Sequence, residues 1–274
     1  MNLPEQPAKK TGVANTALFY YLKANDYLIN VLYNNIKKIK PLFRIKKMSV
    51  NEIQKIRVII TGATGMVGEG ILYECLQHPI VEAALTINRK PCGVIHPKLK
   101  EIIHNDFYNF STIENQLRGY NACFFCLGVS SIGMKQDDYY KITYSLTLHL
   151  AETLSKLNSD MTFCYVSGAG TDSSEKGRSR WAKIKGKTEN DLMKLPFRQV
   201  FAFRPGFIKP TKGLKNALSF YRYIGWLFPI GRVLYPNGFC TLKEIGLAMI
   251  NSVNVGYERN ILEGNDIISL AKNS

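Results

Sequence analysis

Several things are scarce in this chain, and each scarcity excludes something. No apolar run is long enough, or free enough of Lys and Asn, to span a bilayer. No secretory leader with charged, apolar and small-residue regions opens the sequence. The six cysteines (Cys75, Cys92, Cys123, Cys126, Cys164, Cys240) therefore read as reduced thiols packed in a core. Cys123 and Cys126 have CxxC spacing, but they lie in an apolar run with no second cysteine or histidine pair, so burial is favoured over redox or metal chemistry. Histidine is rare: His78, His96, His104 and His149 are dispersed and lack His-x-x-x-His spacing, and no metal is expected. Internal repeats and low-complexity tracts are absent.

Acidic residues are also few, 21 against 36 Lys and Arg, for a formal charge of +15. The excess is uneven. Residues 1–47 hold nine Lys/Arg against Glu5 and Asp26, a balance of +7, and the remainder carries 27 against 19, a balance of +8. The main body has no basic stripe with interleaved aromatics, so nucleic acid is not expected as a partner. Residues 1–47 form a basic leader that mixes apolar and aromatic segments with Lys37–Lys47, and Met48 opens a plausible start of its own. Two readings stay open: an upstream extension, or a basic amphipathic segment resting on a membrane or partner.

What the chain does have, with 46% hydrophobic residues, is enough apolar material for one sizeable core. From Ile56 onward, short β-rich runs alternate with segments of helical period, the pattern of βα units around a parallel sheet. Expected strands are 56–61, 84–88, 101–104, 122–127, 162–167 and 199–204. Expected helices are 66–77, 113–118, 136–157 and 178–194. The fold class is α/β, a Rossmann-type doubly wound parallel sheet over residues 48–274, with ligands at the carboxyl ends of the strands. After about residue 206 the turn signals multiply around the aromatic stretch 220–228, read as a small C-terminal substrate or lid region. Residues 216–236 could alternatively present an apolar patch to a membrane.

The sharpest motif is Gly62-Ala-Thr64-Gly65-Met66-Val67-Gly68, directly after a strand and opening a helix. Gly62 permits a tight turn, Gly65 lets the backbone approach a pyrophosphate, and Gly68 allows close packing of helix on strand. The helix start offers N–H groups and a positive dipole end to phosphates. The next strand ends in Asn88-Arg89-Lys90 with no carboxylate of its own for a ribose 2′-hydroxyl, and its two cations suit a 2′-phosphate. The expected cofactor is thus NADP(H) in preference to NAD(H).

Together these motifs resemble the short-chain dehydrogenase/reductase superfamily, and within it the atypical proteins similar to NAD-dependent epimerases and dehydratases. The resemblance spans roughly residues 55–270. It implies that Asp106 and Phe107 lie beside the adenine, that Cys126-Leu127-Gly128-Val129 backs the nicotinamide ribose, and that Ser167 and Lys185 are catalytic, with Lys185 also bonding that ribose. It implies an oxidoreductase or epimerase acting on a small carbonyl or sugar-like substrate, in a cytoplasmic protein that pairs through the helices after its fourth and fifth strands.

The family's tyrosine, four residues before the lysine, is missing. Trp181 stands there, and an indole N–H donates without ionising near neutral pH, so it cannot serve as the general acid or base. Tyr139, Tyr140 and Lys183 are the other candidates for that proton. The alternative is a redox-inactive module whose NADP(H) occupancy regulates a partner.

Overall fold

The structure, a computed structural model, describes residues 54–216 and 228–272. The expectations for the leader 1–47, and for 217–227 of the aromatic stretch, fall outside the described residues. Ile56–Thr61 (β1) runs directly into the glycine turn, and Met66–Gln77 (α1) leads away from it to Val81–Asn88 (β2) and Leu99–Ile103 (β3). A 3₁₀ turn at Glu114–Leu117 precedes Ala122–Phe125 (β4). Gln136–Tyr140 (α2) passes through a π-helical turn at Lys141–Ser145 into Leu146–Leu157 (α3). Thr162–Val166 (β5), Arg180–Leu192 (α4), Gln199–Phe203 (β6) and Phe207–Lys209 (β7) follow. The chain then continues through Phe228–Leu234 (α5), Phe239–Thr241 (β8), Leu242–Asn254 (α6), Ile261–Leu262 (β9) and Gly264–Ala271 (α7).

Seven strands form one parallel sheet in the order β3-β2-β1-β4-β5-β6-β9. The chain begins at the centre, winds outward to β3, then returns to the other side of β1 at β4. This reversal opens a crevice at the carboxyl ends of β1 and β4, where the loops that follow them part to opposite faces. The central strands are apolar on both faces because helices cover both. Ile56, Val58 and Ile60 face α1, α6 and α7, while Ile59, Phe125 and Phe163 face the α3 side. Each of these six side chains is fully buried.

Several elements differ from the sequence-based expectation. Residues 113–118 do not make an α-helix but a single tight turn, and 136–157 is interrupted by the π turn. The strands expected to end at 127 and 167 stop at Phe125 and Val166; after β4 the chain leaves the sheet so that Cys126, Leu127 and Gly128 line the crevice. The C-terminal stretch from about 206 divides. Phe207, Phe228 and Phe239 stack together around β7, α5 and β8, with ring centroids 5.4 Å apart for Phe207–Phe239. By contrast Leu242, Ile245, Met249, Leu262 and Ile267 belong to the main core.

The start of α6 is fixed by a reciprocal cap. The Thr241 hydroxyl accepts from Glu244 N at 3.1 Å while the Glu244 carboxylate accepts from Thr241 N at 2.8 Å. Arg232 clamps the same carboxylate through both terminal nitrogens, at 2.8 and 2.6 Å. Among the described residues no helix is long and apolar enough to cross a membrane.

Candidate cofactor and active site

The glycine turn has the shape its sequence demands. Gly62 has φ +72°, and a Cβ there would lie 2.8 Å from the backbone of Cys126 and Leu127, so only glycine lets the β1 turn pass the end of β4. At Gly68 a Cβ would stand 2.2 Å from the Gly62 carbonyl oxygen, which locks α1 against the turn. Gly65 differs. Its Cβ position meets nothing closer than that oxygen at 3.5 Å, and the residue borders an open cleft. No side chain caps the start of α1, leaving that helix end to act on whatever occupies the cleft.

The cleft encloses about 590 Å³ and is lined by the ends of four strands. Gly62, Thr64 and Gly65 come from the β1 turn; Arg89 and Lys90 from the end of β2; Phe107 from beyond β3; and Leu127 and Gly128 from beyond β4. No acidic residue lines it. Glu101 on β3, a carboxylate that reaches the cleft-lining Asn88, is already engaged: it accepts from Asn88 Nδ2 at 2.8 Å and from Cys92 N at 2.9 Å. Although burial works against ionisation, those hydrogen bonds hold the Glu101 carboxyl below the usual carboxylate range.

A smaller cavity of about 260 Å³ adjoins the first. Asp106 lines it with Arg89, Phe107, Leu127 and Gly128, its carboxylate accepting from Tyr108 N at 2.9 Å. Met66 and Val67 occupy the first turn of α1 and pack against the core instead of lining either cavity. Ile87, Asn88 and Asn105 also border the cleft and were assigned no role from their sequence positions, and Cys126 borders it as part of its motif.

The pair expected to be catalytic lines neither of these cavities. Ser167 is buried, and its hydroxyl donates to the Phe203 carbonyl of β6 at 3.2 Å, so it faces neighbouring backbone and not a cavity. Lys185 Nζ donates to the Ser167 carbonyl oxygen. Burial lowers the lysine pKa to about 8, although the Glu189 carboxylate one turn on opposes this. Glu189 is itself fully buried and paired with Arg204: Nε donates to Oε1 at 3.0 Å and Nη2 to Oε2. This pair ties α4 to the end of β6 and so fixes the helix that carries Lys185.

Trp181, one turn before Lys185, lays the edge of its indole over Gly170 in the loop that follows β5. It also borders a third cavity of about 350 Å³, shared with Ser131, Met134, Gln136, Tyr139, Arg180 and Ile184. Of the three alternative proton carriers, only Tyr139 reaches a cavity. Tyr140 stacks on Tyr144 at 4.8 Å, and Lys183 lines none of the three.

Comparison with solved structures gives the same architecture. ADP-L-glycero-D-manno-heptose-6-epimerase from Helicobacter pylori superimposes with a TM-score of 0.54 at 17% identity, over 81% of this chain and 82% of that one. The Bordetella bronchiseptica enzyme WbmF, solved in complex with NAD+, gives 0.54 at 13% identity over 81% and 79%. The chain shares the Rossmann-type α/β fold of these enzymes. No family model matches it. In sequence, the chain is 26% identical over 235 residues to the protein fmp52-1, mitochondrial, of Aspergillus terreus, covering 78% of this chain and 98% of the relative.

Further fungal relatives carry the same mitochondrial name, which overturns the expectation of a cytoplasmic protein and points to mitochondria. The signal that sequence reasoning passed over is compositional. A leader rich in lysine and apolar residues and poor in acids shares its charge balance with organelle import segments.

Proposed function

We propose that the chain binds a nicotinamide dinucleotide, NADPH in preference to NADH, and uses it as an oxidoreductase on a small carbonyl or sugar-like substrate. One observation carries the reading: the cleft at the β1/β4 reversal joins a glycine cradle to two cations, Arg89 and Lys90, with no acid in its lining. The cradle fits the group, since Gly65 leaves open the one side on which a pyrophosphate would meet backbone N–H and a helix N-terminus. Arg89 and Lys90 would then hold the 2′-phosphate, Phe107 and Asp106 would flank the adenine, and Leu127 and Gly128 would back the nicotinamide ribose. When bound, the dinucleotide would supply the hydride. The chain's part is to orient it, exclude water and hold Lys185 behind the ribose.

A second reading is favoured by Trp181, which removes the expected proton donor: a cofactor-binding module that regulates a partner without turning over substrate. Titration with NADPH and NADH, followed by nicotinamide fluorescence and then by a panel of aldehydes, ketones and quinones, separates the two. Oxidation of bound NADPH establishes the enzyme, and tight binding with no oxidation by any member establishes the module. Arg89→Ala tests the cofactor assignment. It should weaken NADPH by about tenfold or more, the loss of one charge-assisted contact, and leave NADH nearly unchanged; equal losses for the two would refute it.

A further inference from the structure

We propose that Tyr139 supplies the proton that the absent family tyrosine would have given, and that the 350 Å³ cavity it shares with Trp181 receives a small carbonyl compound. This rests on the oxidoreductase reading above. Three residues were candidates for the proton, and the fold separates them. The ring of Tyr140 is stacked on Tyr144, whose hydroxyl is bonded to Asp191 at 2.8 Å. Lys183 borders no cavity. Tyr139 alone combines a buried ring, 4% exposed, with a place in a cavity wall. Its backbone is held in α2, N to the Lys135 carbonyl at 3.0 Å, so the ring is presented from a rigid element.

The cavity adjoins the cofactor cleft along the chain. Gly128 lines the cleft and Ser131 lines the cavity, three residues on, so the two lie within about 11 Å of each other at full extension. The opposite wall comes from α4, the helix that carries Lys185. Ser131, Gln136 and Arg180 set polar groups beside Met134, Tyr139, Trp181 and Ile184, and Arg180 is the one charge of the lining. That mixed surface, at the small end of ligand pockets, suits a compact carbonyl compound.

The proton inventory is consistent with the role. Burial pushes the Tyr139 phenol above its ordinary value, with the Thr143 side chain acting the other way, so at neutral pH it carries its proton and yields it only to a stronger base, the oxygen that hydride addition leaves negative. In the proposed step, the carbonyl carbon gains a hydride with its two electrons from NADPH held in the glycine cleft. The C=O π pair moves to oxygen, which takes the Tyr139 proton and becomes a hydroxyl. The cofactor leaves oxidised, and the Tyr139 phenolate recovers a proton from water at the cavity mouth. Trp181 walls the substrate and can donate a hydrogen bond from its indole N–H without releasing that proton.

The test uses the full chain with Trp226→Phe, which leaves Trp181 as the single tryptophan. NADPH binding is followed by nicotinamide fluorescence, occupancy of the cavity by quenching of Trp181 with aromatic aldehydes, branched ketones and open-chain sugars, and turnover by NADPH oxidation. Tyr139→Phe should keep NADPH affinity and Trp181 quenching within about twofold and lose about 10²–10⁴ in turnover, the range of a general acid. Tyr140→Phe, the folding and specificity control, should keep turnover. At least one carbonyl of the panel should quench Trp181 and be reduced.

Turnover by Tyr139→Phe within about threefold of the parent overturns the proposal. So does intact NADPH binding with no quenching or no oxidation by any carbonyl. Failure to bind NADPH at all sinks the cofactor reading itself and this proposal with it, so the two failures are told apart by the first measurement.

Discussion

Replacing Lys185 by methionine isolates the cost of burying a cation. The side chain is partly buried between α4 and the end of β5, its ammonium donating to the Ser167 carbonyl. Burial brings its pKa from 10.5 to about 8. That gap disfavours the charged form by roughly 3 kcal/mol. The unfolded lysine titrates near its ordinary value. Between pH 8 and 10.5 the unfolded chain therefore keeps a proton that the folded chain has released, and stability rises with pH in that window. By pH 9.5 this group alone should add about 2 kcal/mol to the stability of the parent relative to neutral pH. Lys185→Met, similar in length and without charge, should show no such gain. Urea unfolding of both proteins at pH 7, 8.5 and 9.5 gives the answer in the difference between them, where other titrating groups cancel. A difference that stays flat across that range would refute the buried-cation argument. A rise confined to the window locates the titration at Lys185.

Two further changes test neighbouring steps. Gly68→Ala forces a Cβ to within 2.2 Å of the Gly62 carbonyl oxygen; it should cost about 1–3 kcal/mol in urea melts, as overpacking does, and weaken NADPH in fluorescence titration, whereas unchanged affinity would show that the turn does not form the cradle. Thr241→Val removes the hydroxyl that caps α6; a loss of about 1 kcal/mol with NADPH affinity unaltered is expected, and an affinity change would mean that α6 bears on the cleft.

The parts of the fold that could be read from sequence are those whose signal is local. β1 and α1 match their expected bounds because a buried apolar run, three glycines and an amphipathic helix follow one another without interruption. The cleft was legible for the same reason: its turn, its pair of cations and its β4 end each lie in a contiguous motif. β2 begins at Val81, three residues before the expected start, because Ile56 of β1 pairs with Val81 across the sheet, a partner that its own sequence does not announce. β9 is two residues long and exists through its pairing with β6. The α6 start was readable, since Thr241-Leu-Lys-Glu244 is a capping box before an apolar run, but the turn signals around it drew the reading toward a lid. Ser167 illustrates the opposite limit: its motif places it at a strand end, while the direction of its hydroxyl depends on Phe203 of a neighbouring strand.

The third cavity was illegible for a physical reason that also bears on its chemistry. Its walls come from α2 and α4, which are separated in sequence by α3 and β5 and meet at the π turn Lys141–Ser145. A π turn is kept where a regular helix would aim side chains wrongly, and such turns concentrate at functional sites. Here it begins two residues after Tyr139 and packs against α4. Trp181, with its edge against Gly170, lines the cavity from the α4 side. The tyrosine in the lining, Tyr139, belongs to the facing helix α2, so under the proposal above the proton crosses from α2 and not from α4.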